Sequence, residues 1–516
     1  MLRLTTEQAS QNISPIASQI HKLIVTDSRP IPSLNLYPTN PLVGFLLVIS
    51  IVTTTLLFIQ ALYIPYWQDD YYFLINAQQA RTVSDSWFTV FWSKQSATFW
   101  RPLGMDFYWR FIESTLNANV RAAHVSNLIL HFASAISVAW FVTRLQHLMH
   151  PGTNRWHLGL LIATLYGVHA ANFLPVVWVS AANSSLVVIF SALSLGCWLQ
   201  ALYAPSKVRE TIAVIGSIVF FTFALFCREI AIIIPALGTL LSALVWPKRI
   251  RTVTAFIAAG CCVLIAIAWL IARGNIVTGV DDAYSLRFGS NVLRNCVSLA
   301  LFFFNTPREA LRFILTDPSP GIIAWAFSCF ALQFAACLFF LKAAWNNLTQ
   351  KTLIVLSLFL VVACGPYLLL NENSYAYYVA MSLLVYVIVI ALGFQRTKLI
   401  MLGTGLAVIS AALSWSGNQL LEYPSLLGRA EWVENQLLLL ESECREQGSP
   451  CRESIALDIR NEHKFLGFGY AGLAYRVGLK VEEFPVVDQA ATTDSVERQY
   501  PTLIIPDQGD VYFETN

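Results

Sequence analysis

Long apolar runs separated by short polar segments are the dominant pattern of this chain. A helix that crosses a membrane needs about 20 predominantly apolar residues. By that measure we predict eleven spans, near 42–64, 123–143, 158–178, 184–204, 211–227, 230–246, 252–272, 321–341, 352–370, 375–395 and 399–415. A shorter run at 296–305 predicts a re-entrant or interfacial helix, or a twelfth span. The predicted fold class is therefore an all-α polytopic membrane protein.

The composition agrees with this prediction. Of the 516 residues, 56% are hydrophobic and 12% are charged, whereas soluble domains carry about 25% charged residues. Eight of the ten cysteines, Cys197 to Cys364, fall in or beside apolar runs, where they are expected to pack as small hydrophobic side chains.

The charge of the loops predicts the orientation of the spans. Lys and Arg dominate five loops, in which Glu210 is the single acid: 144–157, 205–210, 247–251, 342–351 and 395–398. By the positive-inside rule these loops face the cytoplasm. The polar segment 1–41, in which we expect no cleavable signal peptide, is then cytoplasmic. The long loops 65–122 and 273–320, where acids are frequent, are extracytoplasmic.

The pattern changes after the predicted transmembrane domain, residues 42–415. Residues 416–516 contain a helical pattern followed by alternating short strands and a further helix. We therefore predict a small C-terminal α/β domain on the extracytoplasmic side. Cys444 and Cys451 lie in this tail and would be able to form a disulfide in an oxidising compartment.

Asp69 and Asp70 are the first candidates for chemistry. They begin the first outer loop, and ten Trp and Tyr residues surround them between residues 61 and 110, which is typical of a membrane interface. Two adjacent carboxylates near lipid repel each other, which raises the pKa of at least one of them and suits a general base. Alternatively, both acids only solvate the outer end of the preceding span. We favour function, and Asp69 slightly over Asp70.

Two arginines are candidates for binding phosphate. Guanidinium is permanently charged and contacts two phosphate oxygens at once, which favours Arg101, although an arginine here is also able to snorkel to lipid headgroups. Arg228 and Glu229 lie between two apolar runs, where ionisable residues are costly and therefore functional candidates, or else form a self-paired turn. Asp106 closes the aromatic stretch. Together these residues suit a lipid-borne, phosphate-containing substrate.

Other polar residues in apolar segments favour structural roles. His124, Asn127 and His131 recur on one face of the second predicted span, and histidines in apolar helices are more often packing elements than ligands. His169 is interpreted in the same way. Asp281 and Asp282 are able to bind a metal or sugar hydroxyls, but a solvated loop is favoured. No HExxH, CxxC, P-loop or GxSxG pattern occurs in a supporting context.

Four segments in this order resemble the GT-C class of membrane glycosyltransferases, which take a sugar from a polyprenyl- or dolichyl-phosphate carrier outside the cytoplasm. More narrowly, residues 62–395 resemble the membrane half of protein O-mannosyltransferase-like proteins. The segments are QDDYYF at 68–73, FWRPLGMDF at 99–107 leading into HVSNLILH at 124–131, YGVHAANFLPVVWVSAANSS at 166–185, and CREIAIIIP at 227–235.

The resemblance implies sugar transfer with inversion at the anomeric carbon. Asp69 or Asp70 would be the base, Arg101 and Arg228 would bind the donor phosphate, and Glu229 would orient Arg228. Asp106, His124 and His169 would support the site. No cofactor and no catalytic metal are expected. The chain departs from the narrower family in its 373–377 segment, NSYAY, which lacks an arginine that would face the donor phosphate.

The expected partners are a polyprenyl-phosphate-linked sugar as donor, a glycan, lipid or protein acceptor, and membrane lipids, but no nucleic acid. The expected location is a bacterial inner membrane with the active face towards the periplasm, with the endoplasmic reticulum as the alternative. Two other functions stay open: a transporter or flippase of lipid-linked saccharides, and a polymerase or ligase of such glycans. The nearly charge-free interiors of the predicted spans favour surface chemistry over transport.

Overall fold

A computed structural model describes residues 48, 52, 56–83, 86–91, 99–149, 156–245, 252–277, 284–316, 318–371, 374–393, 397–420, 426–447, 456–459, 469, 471–476, 502–505, 510 and 512–514. The segment 1–41, most of the first predicted span, the pair Asp281 and Asp282, and Cys451 lie outside the described residues.

Helices form most of the described chain. In order they are α1 (Asp69–Val83), α2 (Tyr108–Ser114), α3 (Val120–Met149), α4 (Trp156–Gly167), α5 (Phe173–Val177), α6 (Ala182–Leu202), α7 (Lys207–Cys227), α8 (Ile234–Val245), α9 (Thr252–Ile276), α10 (Ser290–Phe303), α11 (Arg308–Thr316), α12 (Pro320–Ala344), α13 (Gln350–Leu368), α14 (Leu383–Gly393), α15 (Thr397–Leu420) and α16 (Leu426–Gln447). Short 3₁₀ segments lie at Ile59–Tyr63, Trp87–Phe91, Ala170–Asn172, Val179–Ala181, Glu229–Ile233, Trp345–Asn347 and Ala376–Val379, and a π-helical segment lies at Pro102–Phe107.

Six helices in the described part of the chain are long and apolar enough to cross a membrane: Val120–Met149, Val179–Leu202, Lys207–Cys227, Thr254–Ile276, Pro320–Asn347 and Gln350–Leu368. A seventh is obtained if the pair Leu158–Gly167 and Ala170–Val177, which is bent by 64°, counts as one span. The protein is thus an α-helical, multi-pass integral membrane protein, as the apolar pattern predicts.

The remaining predicted spans differ from the structure in length. The apolar helices Glu229–Val245 and Leu383–Gly393 are shorter than a full span, whereas α15 covers the whole predicted span 399–415. The predicted span 375–395 begins instead with the 3₁₀ segment Ala376–Val379, which shortens its helix. The total of eleven spans therefore stays a prediction. The short run at 296–305 forms the second half of α10, whose Asn291 and Asn295 are buried.

Local sequence explains where several of these helices begin and end. The Ser206 side chain accepts a hydrogen bond from the Arg209 amide at the start of α7, and Thr349 does the same for Thr352 at the start of α13. These are the side-chain caps that satisfy free amides at a helix N-terminus. At its other end, α7 stops because Arg228 adopts an extended conformation.

Helix α6 packs against both α3 and α7. Their contact uses small polar residues, since Ser194 on α6 donates a hydrogen bond of 2.8 Å to the carbonyl of Ser217 on α7. Small residues at such interfaces allow helix backbones to approach closely within a membrane. The π-helical segment Pro102–Phe107, which follows Arg101, contacts both α6 and α7, and α7 ends directly before Arg228.

The tail contains both helix and strand. Helix α16 packs against α15, and three strands form one sheet in the order β1 (Ala456–Ile459), β2 (Thr502–Ile505) and β3 (Tyr512–Glu514). β1 and β2 are parallel, and β2 and β3 are antiparallel. Arg476 joins its segment to α16 through Glu434 and Glu441, at 2.8 and 2.6 Å. That residues 416–516 form a separate α/β domain stays a prediction.

Candidate active site

Asp70 is a buried hydrogen-bond acceptor in the structure. One of its oxygens accepts hydrogen bonds from the Ser180 amide at 2.8 Å and the Ser180 hydroxyl at 2.6 Å, and the other accepts from the Trp67 amide at 3.3 Å. Burial raises its pKa to about 7, although these hydrogen bonds and the neighbouring Asp69 act on it as well. Asp70 therefore anchors the start of α1 to the Val179–Ala181 turn.

Asp69 points elsewhere. Its side chain is exposed, and desolvation by the neighbouring protein raises its pKa to about 6. Its charge also acts on Tyr284 and Tyr375. The preceding residue, Gln68, has a φ of 53°, in the left-handed region that is uncommon for residues other than glycine. This turn sets the direction of α1 and thereby the position of Asp69, the first residue of that helix.

Arg101 forms a bidentate ion pair with Glu229. Its Nη2 lies 2.7 Å from Oε2, and its Nε donates to Oε1 at 3.1 Å and to Oε2 at 2.9 Å. The Arg101 guanidinium also lies over the Phe99 ring, 4.0 Å from its centre. Because Glu229 pairs with Arg101, and more distantly with Arg273 at 4.0 Å, its partner differs from the predicted Arg228. The sequence separation of 128 residues hid this pairing.

A close backbone approach brings these two residues together. A Cβ atom at Gly104 would lie 2.6 Å from the carbonyl oxygen of Cys227. Only a glycine allows the π-helical segment after Arg101 to pass so near the end of α7, which leads directly into Arg228 and Glu229.

Arg228 is held by a hydroxyl and three aromatic rings. Its Nη1 donates a hydrogen bond of 2.6 Å to Ser184, and its guanidinium lies 4.7, 5.1 and 5.9 Å from the ring centres of Tyr377, Tyr378 and Tyr367. Such cation–π contacts stabilise a guanidinium without neutralising its charge.

The side chains of Arg101, Arg228 and Glu229 line one cavity, which has a volume of about 540 Å³. Its charged wall consists of Arg101, Arg228, Arg273 and Glu229, so cations outnumber the carboxylate. Its apolar wall includes Ile230, Ile232, Trp269, Leu270, Leu286 and Leu370. Tyr284 also lines the cavity and feels the charge of Asp69, which connects the candidate base to the two predicted arginines.

Sequence reasoning missed Arg273 and the tyrosines of this cavity. Arg273 follows directly after the predicted span 252–272, at the outer end, where the positive-inside rule makes a basic residue unusual. That exception was a usable signal. The tyrosines at positions 367 and 378 carried no comparable signal, since aromatic residues are common at both membrane interfaces.

The predicted supporting residues lie outside the cavity lining. Asp106 is buried in the π-helical segment, and burial raises its pKa well above the usual range. His124 contacts the carbonyl of Val176 at 3.4 Å, and His169 contacts that of Phe303 at 3.2 Å. Both histidines thereby join helical segments, which agrees with the packing role that the sequence favours.

Asn127 and His131, which share the predicted polar face of α3 with His124, also pack inside the protein. Asn127 accepts a hydrogen bond from the Tyr108 hydroxyl and donates to the carbonyls of Pro175 and Trp178, at 2.9 and 3.2 Å. His131 packs edge-on against Phe58, with ring centres 4.8 Å apart. Among the described residues, no group of three His, Cys, Asp or Glu side chains is arranged to hold a metal ion. The absence of a catalytic metal stays a prediction.

Comparison with known proteins gives limited information. No family model and no curated protein matches this chain, so nothing supports the narrower resemblance to O-mannosyltransferase-like proteins. Among solved structures, it is similar to the oligosaccharyltransferase of Archaeoglobus fulgidus. The apo form has 13% identity, a TM-score of 0.45, and coverage of 88% of this chain and 65% of that chain. The complex with zinc and sulfate has 15% identity, a TM-score of 0.46, and coverage of 86% and 62%. This chain thus spans less than two thirds of that protein, and a likeness of this extent establishes neither family nor activity.

Proposed function

We propose that this protein is a membrane glycosyltransferase that moves a sugar from a polyprenyl-phosphate carrier to an acceptor on the extracytoplasmic face. The observation that carries the proposal is the cavity in which Arg101 and Arg228 meet an apolar wall. Asp69 acts electrostatically on Tyr284, which lines the same cavity. A polyprenyl-phosphate sugar has the matching parts: an anionic phosphate, an apolar chain and a sugar at their junction.

The arginines suit the leaving group of this reaction. As the bond between the anomeric carbon and the phosphate oxygen breaks, negative charge grows on the phosphate. Fixed guanidinium groups in a site with little water stabilise such charge strongly. Arg228 is already positioned by Ser184 and by its tyrosine contacts, so it requires little rearrangement. Arg101 would exchange part of its contact with Glu229 for the phosphate.

Asp69 suits the role of base better than Asp70. The acceptor oxygen attacks the anomeric carbon and its proton passes to the carboxylate, while polyprenyl phosphate leaves. Asp70 already accepts three hydrogen bonds and is buried. Asp69 is accessible and has a pKa of about 6, so it is mostly ionised at neutral pH and still able to accept a proton.

Sugar transfer by the purified protein in detergent tests this proposal. Radiolabelled polyprenyl-phosphate sugars serve as donors and a membrane extract as acceptor, with the wild type beside Asp69→Asn. We expect transfer by the wild type and loss of transfer in Asp69→Asn, with donor binding retained. Full activity of Asp69→Asn, Asp70→Asn and the double variant would refute the mechanism. Addition of a single sugar indicates a monosaccharide transferase, whereas a polymer or a whole glycan indicates the polymerase or ligase alternative.

A further inference from the structure

Helix α10 has polar residues on its buried side and apolar residues on its exposed side. Asn291 and Asn295 are buried, and their side-chain amides donate hydrogen bonds of 3.2 and 2.7 Å to the carbonyl of Leu370. Leu293 and Val297 are exposed. Because residues two apart on an α-helix point about 200° apart, these two pairs lie on opposite faces. The helix therefore presents apolar side chains away from the protein.

The extended segment before α10 adds further exposed apolar side chains. Leu286 forms an antiparallel bridge with Leu370, and the Arg287 amide donates a hydrogen bond of 2.8 Å to the carbonyl of Leu369. Residues two apart in an extended chain lie on the same side, and both Leu286 and Phe288 are exposed, Phe288 by 88%. We define the 286–297 surface as the exposed side chains of Leu286, Phe288, Leu293 and Val297.

The contacts of α10 place it at one boundary of the membrane. Helix α13 is a candidate span that ends at Leu368. The side chain of Asn295 donates to the carbonyls of Tyr367 and Leu368, at 3.3 and 3.2 Å. The last carbonyls of a helix have no partner within that helix, so Asn295 caps the end of the span. Helix α10 is thereby fixed at the level where α13 leaves the apolar layer.

The 286–297 surface meets a second exposed apolar surface at the cavity. Leu286 and Leu270 both line the cavity, and they are 67% and 47% exposed. Leu270 belongs to α9, a candidate span that buries 22% of its apolar stretch inside the protein. The exposed apolar side of a spanning helix faces lipid. The rim of the cavity therefore joins the 286–297 surface to a surface that faces lipid.

We propose that the 286–297 surface lies among the acyl chains of the adjoining leaflet, so that the cavity opens sideways into the membrane. A contiguous exposed apolar patch marks a contact with a membrane or with another protein. The cap on α13 and the shared rim with Leu270 favour the membrane as the occupant.

A sideways opening selects the chemical class of the ligand. A phosphate-bearing amphiphile that is already in the leaflet is able to bring its phosphate to Arg101 and Arg228 while its chain passes Leu270 and Leu286. A water-soluble ligand gains nothing from such an opening. The assignment of this amphiphile as the sugar donor rests on the proposed function, but the lipid contact of the 286–297 surface does not.

The lipid contact is measured without any transfer. A fluorescent amino acid with a naphthyl side chain is placed at the position of Phe288 in the full-length protein, which is reconstituted in phosphatidylcholine nanodiscs. Lipids with brominated acyl chains quench its emission from the membrane, and iodide in the buffer quenches it from the water. We expect quenching by the brominated lipids to exceed quenching by iodide several-fold. The same result is expected with the label at Leu293.

Two other exposed positions calibrate this measurement. Leu264 on the spanning helix α9 is the lipid control, and Leu438 on α16, a helix with many charged residues, is the aqueous control. Labels at Phe288 and Leu293 should respond like the label at Leu264. A response like that at Leu438 would show that the 286–297 surface lies in water. Quenching by neither reagent would show that protein covers it. Either outcome would overturn the proposal.

The sideways opening has its own test, which uses two sugar donors with the same sugar and phosphate. One carries a polyprenyl chain and resides in the nanodisc, whereas the other carries a short citronellyl chain and dissolves in water. Phe288→Asn with Leu293→Asn changes two exposed side chains, so the fold should be retained. We expect this double variant to raise the KM for the membrane-borne donor several-fold and to leave the KM for the soluble donor unchanged.

Val208→Asn with Ile212→Asn is the matched control. These two side chains are also exposed, and they lie at the end of α7 that is farther from Arg228. Both KM values should stay unchanged in this control. An unchanged KM for the membrane-borne donor in Phe288→Asn with Leu293→Asn, or an equal rise for both donors, would overturn the sideways opening. Absence of transfer by the wild type with both donors would instead refute the proposed function, while the quenching measurement still decides the lipid contact.

Discussion

Asp69 and Asp70 are adjacent in sequence, but the structure gives them different environments. Successive residues on an α-helix point about 100° apart. At the start of α1 this directs Asp70 towards Ser180 and leaves Asp69 exposed, where its charge acts on Tyr284. Variants of the two residues should therefore affect different properties of the protein.

Replacing Asp69 should affect catalysis more than stability. We expect Asp69→Asn to lower kcat by about 10²–10⁴-fold, the usual contribution of a positioned general base. Its donor affinity and thermal midpoint should stay close to those of the wild type. Initial rates at saturating donor, together with thermal unfolding in detergent, check both expectations.

Replacing Asp70 should affect stability first. In Asp70→Ala the amide and hydroxyl of Ser180 lose their buried acceptor, which is expected to cost about 1–3 kcal/mol. Asp69→Ala is the matched control, because Asp69 is exposed. A thermal midpoint of Asp70→Ala equal to that of Asp69→Ala would contradict the anchoring role of Asp70.

The pKa of Asp69 predicts the pH dependence of transfer. Desolvation by the neighbouring protein raises that pKa to about 6, and only the deprotonated carboxylate accepts a proton. Below pH 6 the rate should therefore fall about tenfold per pH unit, and above it the rate should level off. A pH profile of kcat measures this, and the residual activity of Asp69→Asn should lack the same inflection.

At the scale of elements, the site depends on the approach between the π-helical segment Pro102–Phe107 and the end of α7. The first brings Arg101, and the second brings Arg228 and Glu229. The close passage at Gly104 determines how well Arg101 reaches Glu229.

Gly104→Ala should disrupt this approach. The added methyl group would meet the Cys227 backbone at 2.6 Å, and such overpacking is expected to cost about 1–3 kcal/mol. Because Arg101 moves with the segment, donor affinity should fall as well. Gly260→Ala on α9 is the control, since its added methyl group meets open space. Thermal unfolding and donor binding are compared for both, and equal behaviour would contradict the role given to Gly104.

At the scale of the whole molecule, the tail contacts the helix that carries Asp69. Tyr475 lies against Tyr71 on α1, with ring centres 5.8 Å apart. The segment of Tyr475 is joined to α16 through Arg476, and Arg429 of α16 lies 3.8 Å from Glu309 of α11. The tail thus contacts α1 and α11.

Loss of the Tyr475 ring should loosen α1. We expect Tyr475→Ala to increase hydrogen–deuterium exchange in peptides covering residues 69–83, because a buried aromatic contact on that helix is removed. Peptides from α12 should exchange as in the wild type and provide the internal control. Unchanged exchange at residues 69–83 would show that the tail does not stabilise α1.

The sequence by itself determined the membrane character of the protein and which polar residues are candidates for its chemistry. Apolar runs of spanning length can be recognised from the local sequence, since each helix in lipid must satisfy its own backbone hydrogen bonds. Charged residues between such runs stand out because they are costly at membrane level. Asp69, Arg101 and Arg228 could therefore be selected from the sequence. The structure places Arg101 and Arg228 in one cavity, and Asp69 acts electrostatically on Tyr284 of the same cavity.

Only the tertiary structure decided which of these residues are partners. The pairing of Arg101 with Glu229, the tyrosine contacts of Arg228 and the ion pair of Arg429 with Glu309 all join segments far apart in the chain. The 64° bend near His169 divides the predicted span 158–178 into two helices. The 3₁₀ segment after Tyr375 likewise shortens the helix in the predicted span 375–395. Packing angles and helix breaks depend on how several helices fit together, and hydrophobic periodicity contains no information on that fit.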